Sequence, residues 1–140
     1  MFNDDFDSLN EPVDALWIGN PVNDVLGAAT LSDIEERIDS ILDLANARGI
    51  TNIWMENCPP FRNHSSWTQA RQDDCDALNN VIYPSRRSRT RIADIKNMLD
   101  TTGDDAIQPE FNPTGDGLHP GPGDGWDTYV AFYRSQLGCG

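Results

Sequence analysis

The chain has 140 residues, of which 38% are hydrophobic, and 23 acidic side chains against 10 basic ones leave a net charge of -13. That length fits one domain with a core, burying roughly two-thirds of its unfolded surface. The acidic balance excludes a general nucleic-acid binder, which needs cations to displace phosphate counterions, and docking on anionic membranes; no apolar run reaches the ~20 residues that span a bilayer.

Residues 1–12 hold Asp4, Asp5, Asp7 and Glu11 and end in Pro12, an acidic lead-in, extended or weakly helical, without the pattern of a signal peptide. A cleaved signal would leave no trace, so the compartment stays open. Ala15-Leu16-Trp17-Ile18, closed by Gly19-Asn20-Pro21, is a short apolar run bounded by turn residues, as in a strand buried on both faces. A helix follows. Ser32 and Glu35 form its capping box, Leu31, Ile34, Ile38, Ile41, Leu42 and Ala45 recur at helical spacing, and Gly49 stops it behind Arg48.

Ile50 to Met55 is a second buried strand, broken by Cys58-Pro59-Pro60. Ser66 with Gln69 opens the next helix, with Trp67, Ala70, Ala77, Leu78, Val81 and Ile82 on one face and Pro84 at its end. Thr90 to Ile95 is the third strand. Residues 100–125 form a long Gly/Pro-rich loop, of the kind that is functional or disordered in a compact domain. Trp126, Tyr129, Val130, Tyr133 and Leu137 then mark an amphipathic helix, with Asp124 or Gly125 near its cap and Gly138 after it.

The order strand, helix, strand, helix, strand, loop, helix defines a single α/β domain over 1–140, with a parallel sheet of about three strands between flanking helices. Ligand groups belong beyond the carboxyl ends of the strands. Two loops qualify, Gly19 to Asp24 and the long loop with Asp116 and His119.

Other candidates read more simply. Cys58, Cys75 and Cys139 are too few and scattered for a disulfide framework, so the first two are small buried apolar residues and the third an exposed thiol. Asp100, Asp104, Asp105 and Glu110 fail EF-hand spacing, because Asp105 stands where glycine is needed, and read as solvated loop. His64 takes a surface or capping role. Arg86, Arg87, Arg89 and Arg91 balance nearby acids, the N-terminal ones included, or grip an anionic surface. The four tryptophans belong to core or interface. No metal or organic cofactor is implied.

The first loop, Ile18-Gly19-Asn20-Pro21-Val22-Asn23-Asp24, and the second, Asp116-Gly117-Leu118-His119-Pro120, resemble the last two signature blocks of the SGNH (GDSL-type) hydrolases. The resemblance implies a flavodoxin-like fold, with this chain as the C-terminal half of the family's domain. It implies that Asn23 is an oxyanion-hole donor, His119 the general base and Asp116 its orienting partner. Pro21 departs from the family's usual glycine. The family's Gly-Asp-Ser nucleophile block has no counterpart here, and none of the serines stands in such a setting.

A base without a nucleophile has nothing to activate, so the isolated chain is expected to be silent. Three readings follow: a partner chain provides the serine, the chain is a fragment of a longer hydrolase, or it is a non-catalytic assembly or binding module reusing the fold, such as a virion component. Met1 reads as the start of a separately translated chain, which favours the first or third. If active, the site would hydrolyse esters, acetylated carbohydrate among them. In all three readings the Ala15–Ile18 strand is an apolar edge that a second chain or second copy should cover.

Overall fold

The structure, a computed structural model, describes residues 13–113 and 115–137. It is the expected α/β arrangement: three parallel strands in the order β1-β2-β3, where β1 is Leu16–Ile18, β2 Ile53–Glu56 and β3 Arg91–Ala93. Helices α1 (Val22–Leu26) and α2 (Leu31–Ala47) connect the first two strands. A longer rod connects the second pair: α3 (Gln69–Ala77), a π-helical turn (Leu78–Ile82) and the short α4 (Tyr83–Ser85). Beyond β3 come α5 (Ile95–Leu99), a 3-10 turn (Pro109–Phe111) and α6 (Asp124–Leu137). The acidic lead-in, Gly138 and Cys139 lie outside the described residues.

Register decides what each sheet face carries. Trp17 pairs with Trp54, and Trp54 with Arg91. Because side chains alternate along a strand, these three share one face. There Trp17 stacks on Trp54 at 5.7 Å, and the Arg91 guanidinium sits 5.1 Å over the Trp54 ring. Ile53 and Met55 belong to the main core with Ile34, Ile38, Leu42 and Ala45 of α2 and Cys75, Leu78 and Tyr83 of the α3–α4 rod, and Leu16, Ile18 and Ile92 pack against it. Glu56 lies two residues beyond Trp54, on the aromatic face and at the carboxyl end of the central strand.

Several local expectations shift. The capping box of α2 is Thr30 with Asp33: Asp33 N donates to Thr30 Oγ1 at 3.1 Å, and Thr30 N returns to Asp33 Oδ2 at 3.1 Å. Ser32 and Glu35 fit the same sequence pattern, but Thr30 is the residue still extended where the helix begins. Cys58 and Cys75 are joined in a disulfide with Cα atoms 5.6 Å apart, so the reading as two free buried thiols is wrong. The second helix ends at Ser85, one residue past Pro84, after the π-turn. Of the face assigned to that helix, Val81 is exposed, and Gln72 and Cys75 take its buried places. The third strand stops at Ala93, because Asp94 caps α5 by accepting from Asn97 N at 3.2 Å.

β2 is buried along its whole length as expected, while β1 is only half-buried. Among the described residues β1 pairs with β2 alone, so its outer edge is open. Beside that edge a groove of about 710 Å³ opens, floored by Leu16, Ile18, Ile34, Ile38 and Ile41. Two of the clustered arginines reach α2: Arg86 bonds Glu35 (2.6 Å) and Asp39 (2.8 Å), and Arg89 reaches Asp39 and Asp43, whereas Arg91 lies over Trp54 on the aromatic face.

Candidate active site

The loop from Asn112 to Pro120 folds on its own carboxylate and amide. Asp116 Oδ1 accepts from His119 N (3.0 Å), Leu118 N (2.9 Å) and Asn112 Nδ2 (2.8 Å), and Asp116 Oδ2 lies 2.9 Å from His119 Nδ1. Asn112, itself buried, also donates to His119 O and accepts from Gly117 N at 3.1 Å. Gly117 is required twice over. Its φ of +73° suits glycine, and a Cβ there would meet the Asn63 carbonyl carbon at 2.3 Å.

Partial desolvation alone would raise the Asp116 carboxyl. The hydrogen bonds from His119 N, Asn112, Leu118 N and the His119 ring outweigh it and hold Asp116 well below the usual carboxylate range. Asp116 is thus anionic at neutral pH and fixes His119 with Nδ1–H toward it. That leaves Nε2 free to act as a base. The His119 side chain is 68% exposed.

The loop after β1 forms the opposite wall. Pro21 is the N-cap of α1, and Asn23 and Asp24 fall in its first turn. Asp24 pairs with Arg37 of α2, while Arg71 Nη2 donates to Leu26 O at 2.9 Å, so both ends of α1 are tied down. The Asn23 amide is exposed and has no hydrogen-bond partner among the described residues. Asn23 and His119 line one cavity of about 510 Å³, with Asn20 and Glu56 at its base and Trp126, Tyr129 and Val130 of α6 along its side. Asp116 stands behind His119. All three residues singled out in the sequence therefore meet at one place.

Glu56 was not anticipated. It is 5% exposed, and its carboxylate accepts from Trp17 Nε1 (2.9 Å), Asn20 N (3.1 Å), Asn20 Nδ2 (3.1 Å) and the Tyr133 hydroxyl. Those four donors fill a carboxylate's lone-pair sites. Burial first, and then the bond to Glu56, push the Tyr133 hydroxyl up, so it stays protonated and donating. One side chain thus ties β1, its loop and α6 to the end of β2. The available signal was a charged residue closing a buried apolar run, at the strand end where such sites form. Pro59, three residues on, lines the cavity too, and the Cys58 peptide before it exchanges hydrogen bonds of 2.8 and 3.0 Å with the Asn79 amide of the π-turn.

The remaining candidates are structural. His64 Nδ1 accepts from Ser66 N at 3.2 Å in a turn. Asp100 accepts from Gly103 N (2.6 Å), Asp105 N (2.9 Å) and Asp104 N (3.2 Å), so it organises its loop. Trp54 is buried and Trp17 and Trp67 half-buried, but Trp126 is 59% exposed, so of the two places expected for the tryptophans it is outside the core.

The sequence matches no known family model and no curated protein. Among solved structures, the fold is similar to the crystal structure of a Bacteroides fragilis protein described as a "putative acylhydrolase". The TM-score is 0.73 over 98% of this chain and 94% of that one, at 15% sequence identity. The chain therefore shares the α/β fold of that protein.

Proposed function

We propose that this chain provides the base and oxyanion side of an SGNH-type ester hydrolase, with the nucleophilic serine coming from a second polypeptide that lies along the open edge of β1. The observation that carries the reading is the Asp116–His119 bond of 2.9 Å at the mouth of the cavity that Asn23 shares. No serine lines that cavity among the described residues. The likeness to the Bacteroides protein runs through nearly all of both chains and lends no weight to a half-domain. That part of the reading rests on the missing serine, the open β1 edge and the apolar groove beside it.

In the assembled site the serine hydroxyl would pass its proton to His119 Nε2 as its oxygen adds to the ester carbonyl. The Asn23 amide would donate to the oxygen on which charge develops. Collapse breaks the ester C–O bond, and His119 returns the proton to the leaving alkoxide. Water, deprotonated by the same Nε2, then releases the acid from the serine ester. Glu56 has a positioning part in this cycle, since its oxygens are occupied by Trp17, Asn20 and Tyr133.

The test is p-nitrophenyl acetate hydrolysis by the purified chain alone and mixed with the product of the neighbouring reading frame. Turnover is expected only in the mixture, falling about a million-fold in His119→Ala. Turnover that survives His119→Ala would overturn the assignment. Silence in every mixture, with an assembly defect on deletion, would favour a non-catalytic module.

A further inference from the structure

We infer that the cavity beside His119 accepts an uncharged ester whose apolar group lies against Trp126 and Val130, in preference to an anionic or a polyhydroxylated substrate. The inference rests on the hydrolase reading for the reacting group and on the cavity wall for the rest. Trp126 is 59% exposed and Val130 48%, and they stand one turn apart on α6. A single exposed apolar residue is ordinary. Two on one helical face, both lining a cavity of about 510 Å³, make a continuous apolar wall.

The wall is set before anything binds. Trp126 Nε1 donates to Pro120 O at 2.9 Å, and Trp126 N to Gly121 O at 3.0 Å. Pro120 follows His119 directly, so the ring and the base share one anchor. An aromatic surface held in place loses little freedom when a ligand lands on it.

Polar capacity argues against a sugar. Both Glu56 oxygens are occupied, the Asn20 amide is spent on Glu56, and Asn20 Oδ1 accepts from Val22 N at 3.2 Å. That leaves the Asn23 amide and the free ring nitrogen of His119, the two groups needed at the carbonyl, and for everything else the single Tyr129 hydroxyl among the lining side chains. Further hydroxyls would be desolvated without partners, at a cost for each. Charge argues against an anion. No Lys or Arg among the described residues lines the cavity, whereas Glu56 does and Asp116 stands behind His119.

The test is a titration of the 15N-labelled chain with three probes: methyl hexanoate, hexanoate and methyl 6-O-acetyl-glucopyranoside. Methyl hexanoate should move the Trp126 indole and Asn23 amide resonances saturably, with the other two at least about tenfold weaker. Trp126→Ala should weaken the ester by about tenfold or more while the remaining spectrum stays in place. Val130→Asp, in case the first variant perturbs α6, should weaken it similarly. Equal or tighter binding of hexanoate or the acetyl sugar, no response to the ester, or indifference to both substitutions would overturn the inference. The two readings fail separately. Binding that needs Trp126 in a complex without esterase activity removes only the hydrolase, and turnover confined to acetylated sugars removes only the preference.

Discussion

The two walls of the cavity are built in different ways. The Asp116–His119 wall is local: within nine residues, one carboxylate and one amide bond four backbone groups, a ring nitrogen and each other. The β1 wall is long-range. It is held to Glu56 across 36 to 39 residues of sequence, and Trp17 packs edge-on against Tyr133 of α6, which also bonds Glu56; its outer edge pairs with nothing described. A local network is in place as soon as its loop folds, whereas the wall on the open strand is the part that a partner would complete under the proposed function. His119 is therefore fixed in the chain alone, and on the proposed function the open edge is where a partner would act.

The largest expected effect falls on the local wall. In the complemented enzyme, Asp116→Asn should keep the loop's shape yet lower turnover about ten-thousand-fold, since an amide can present its N–H to the ring and favour the wrong tautomer. Ester hydrolysis by the mixed preparation measures it; a loss under tenfold would show that His119 needs no anionic partner. Next comes the disulfide, which fastens the start of the Pro59 segment to α3. Its sequence separation of 17 predicts about 3 kcal/mol of stabilisation, read as a lower denaturant midpoint in the Cys58→Ser/Cys75→Ser pair. Asn112→Ala follows, at about 1–3 kcal/mol, because it strands the buried Gly117 N–H and removes a donor shared by Asp116 and the His119 carbonyl. Its amide-exchange protection should fall at Gly117 and His119 while β2 keeps its own.

How much of this was legible follows the same division. The Asp116-Gly117-Leu118-His119-Pro120 block could be read because the contact it encodes spans three residues, and Gly117 announced the tight turn. Asn112 could not, since nothing periodic links it to Asp116. The strands and α2 were legible from apolar patterning, but strand ends were not. Reading β2 to Met55 left out Glu56, the residue on which the far wall hangs. The pairing of Cys58 with Cys75 depends on how the π-turn and the Cys58 peptide meet, which spacing does not encode. Helical periodicity put Trp126 and Val130 on one face with Tyr129 and Tyr133. It could not say that the sheet is wide enough to cover only part of that face.

The smallest effect is the one that separates the walls by pH. Asp116 is depressed in the folded chain against an unfolded carboxyl near 3.9. A depressed acid adds stability that is fully present above its unfolded value and lost as pH falls toward the folded one. The Asp116 contribution should therefore hold above about pH 5 and decline through pH 4 and below. Asp100 is lowered as well: its burial, which would raise it, is outweighed by the backbone N–H groups of Asp105, Gly103 and Asp104, so it acts in the same window and direction. Following unfolding from pH 7 to pH 3 in wild type, Asp116→Asn and Asp100→Asn apportions the slope. Each variant should flatten the acid limb in part, and Asp116→Asn should do so without changing the protection of β1. If it loosens β1 as well, the two walls fold as one unit and the β1 side does not wait on a neighbour.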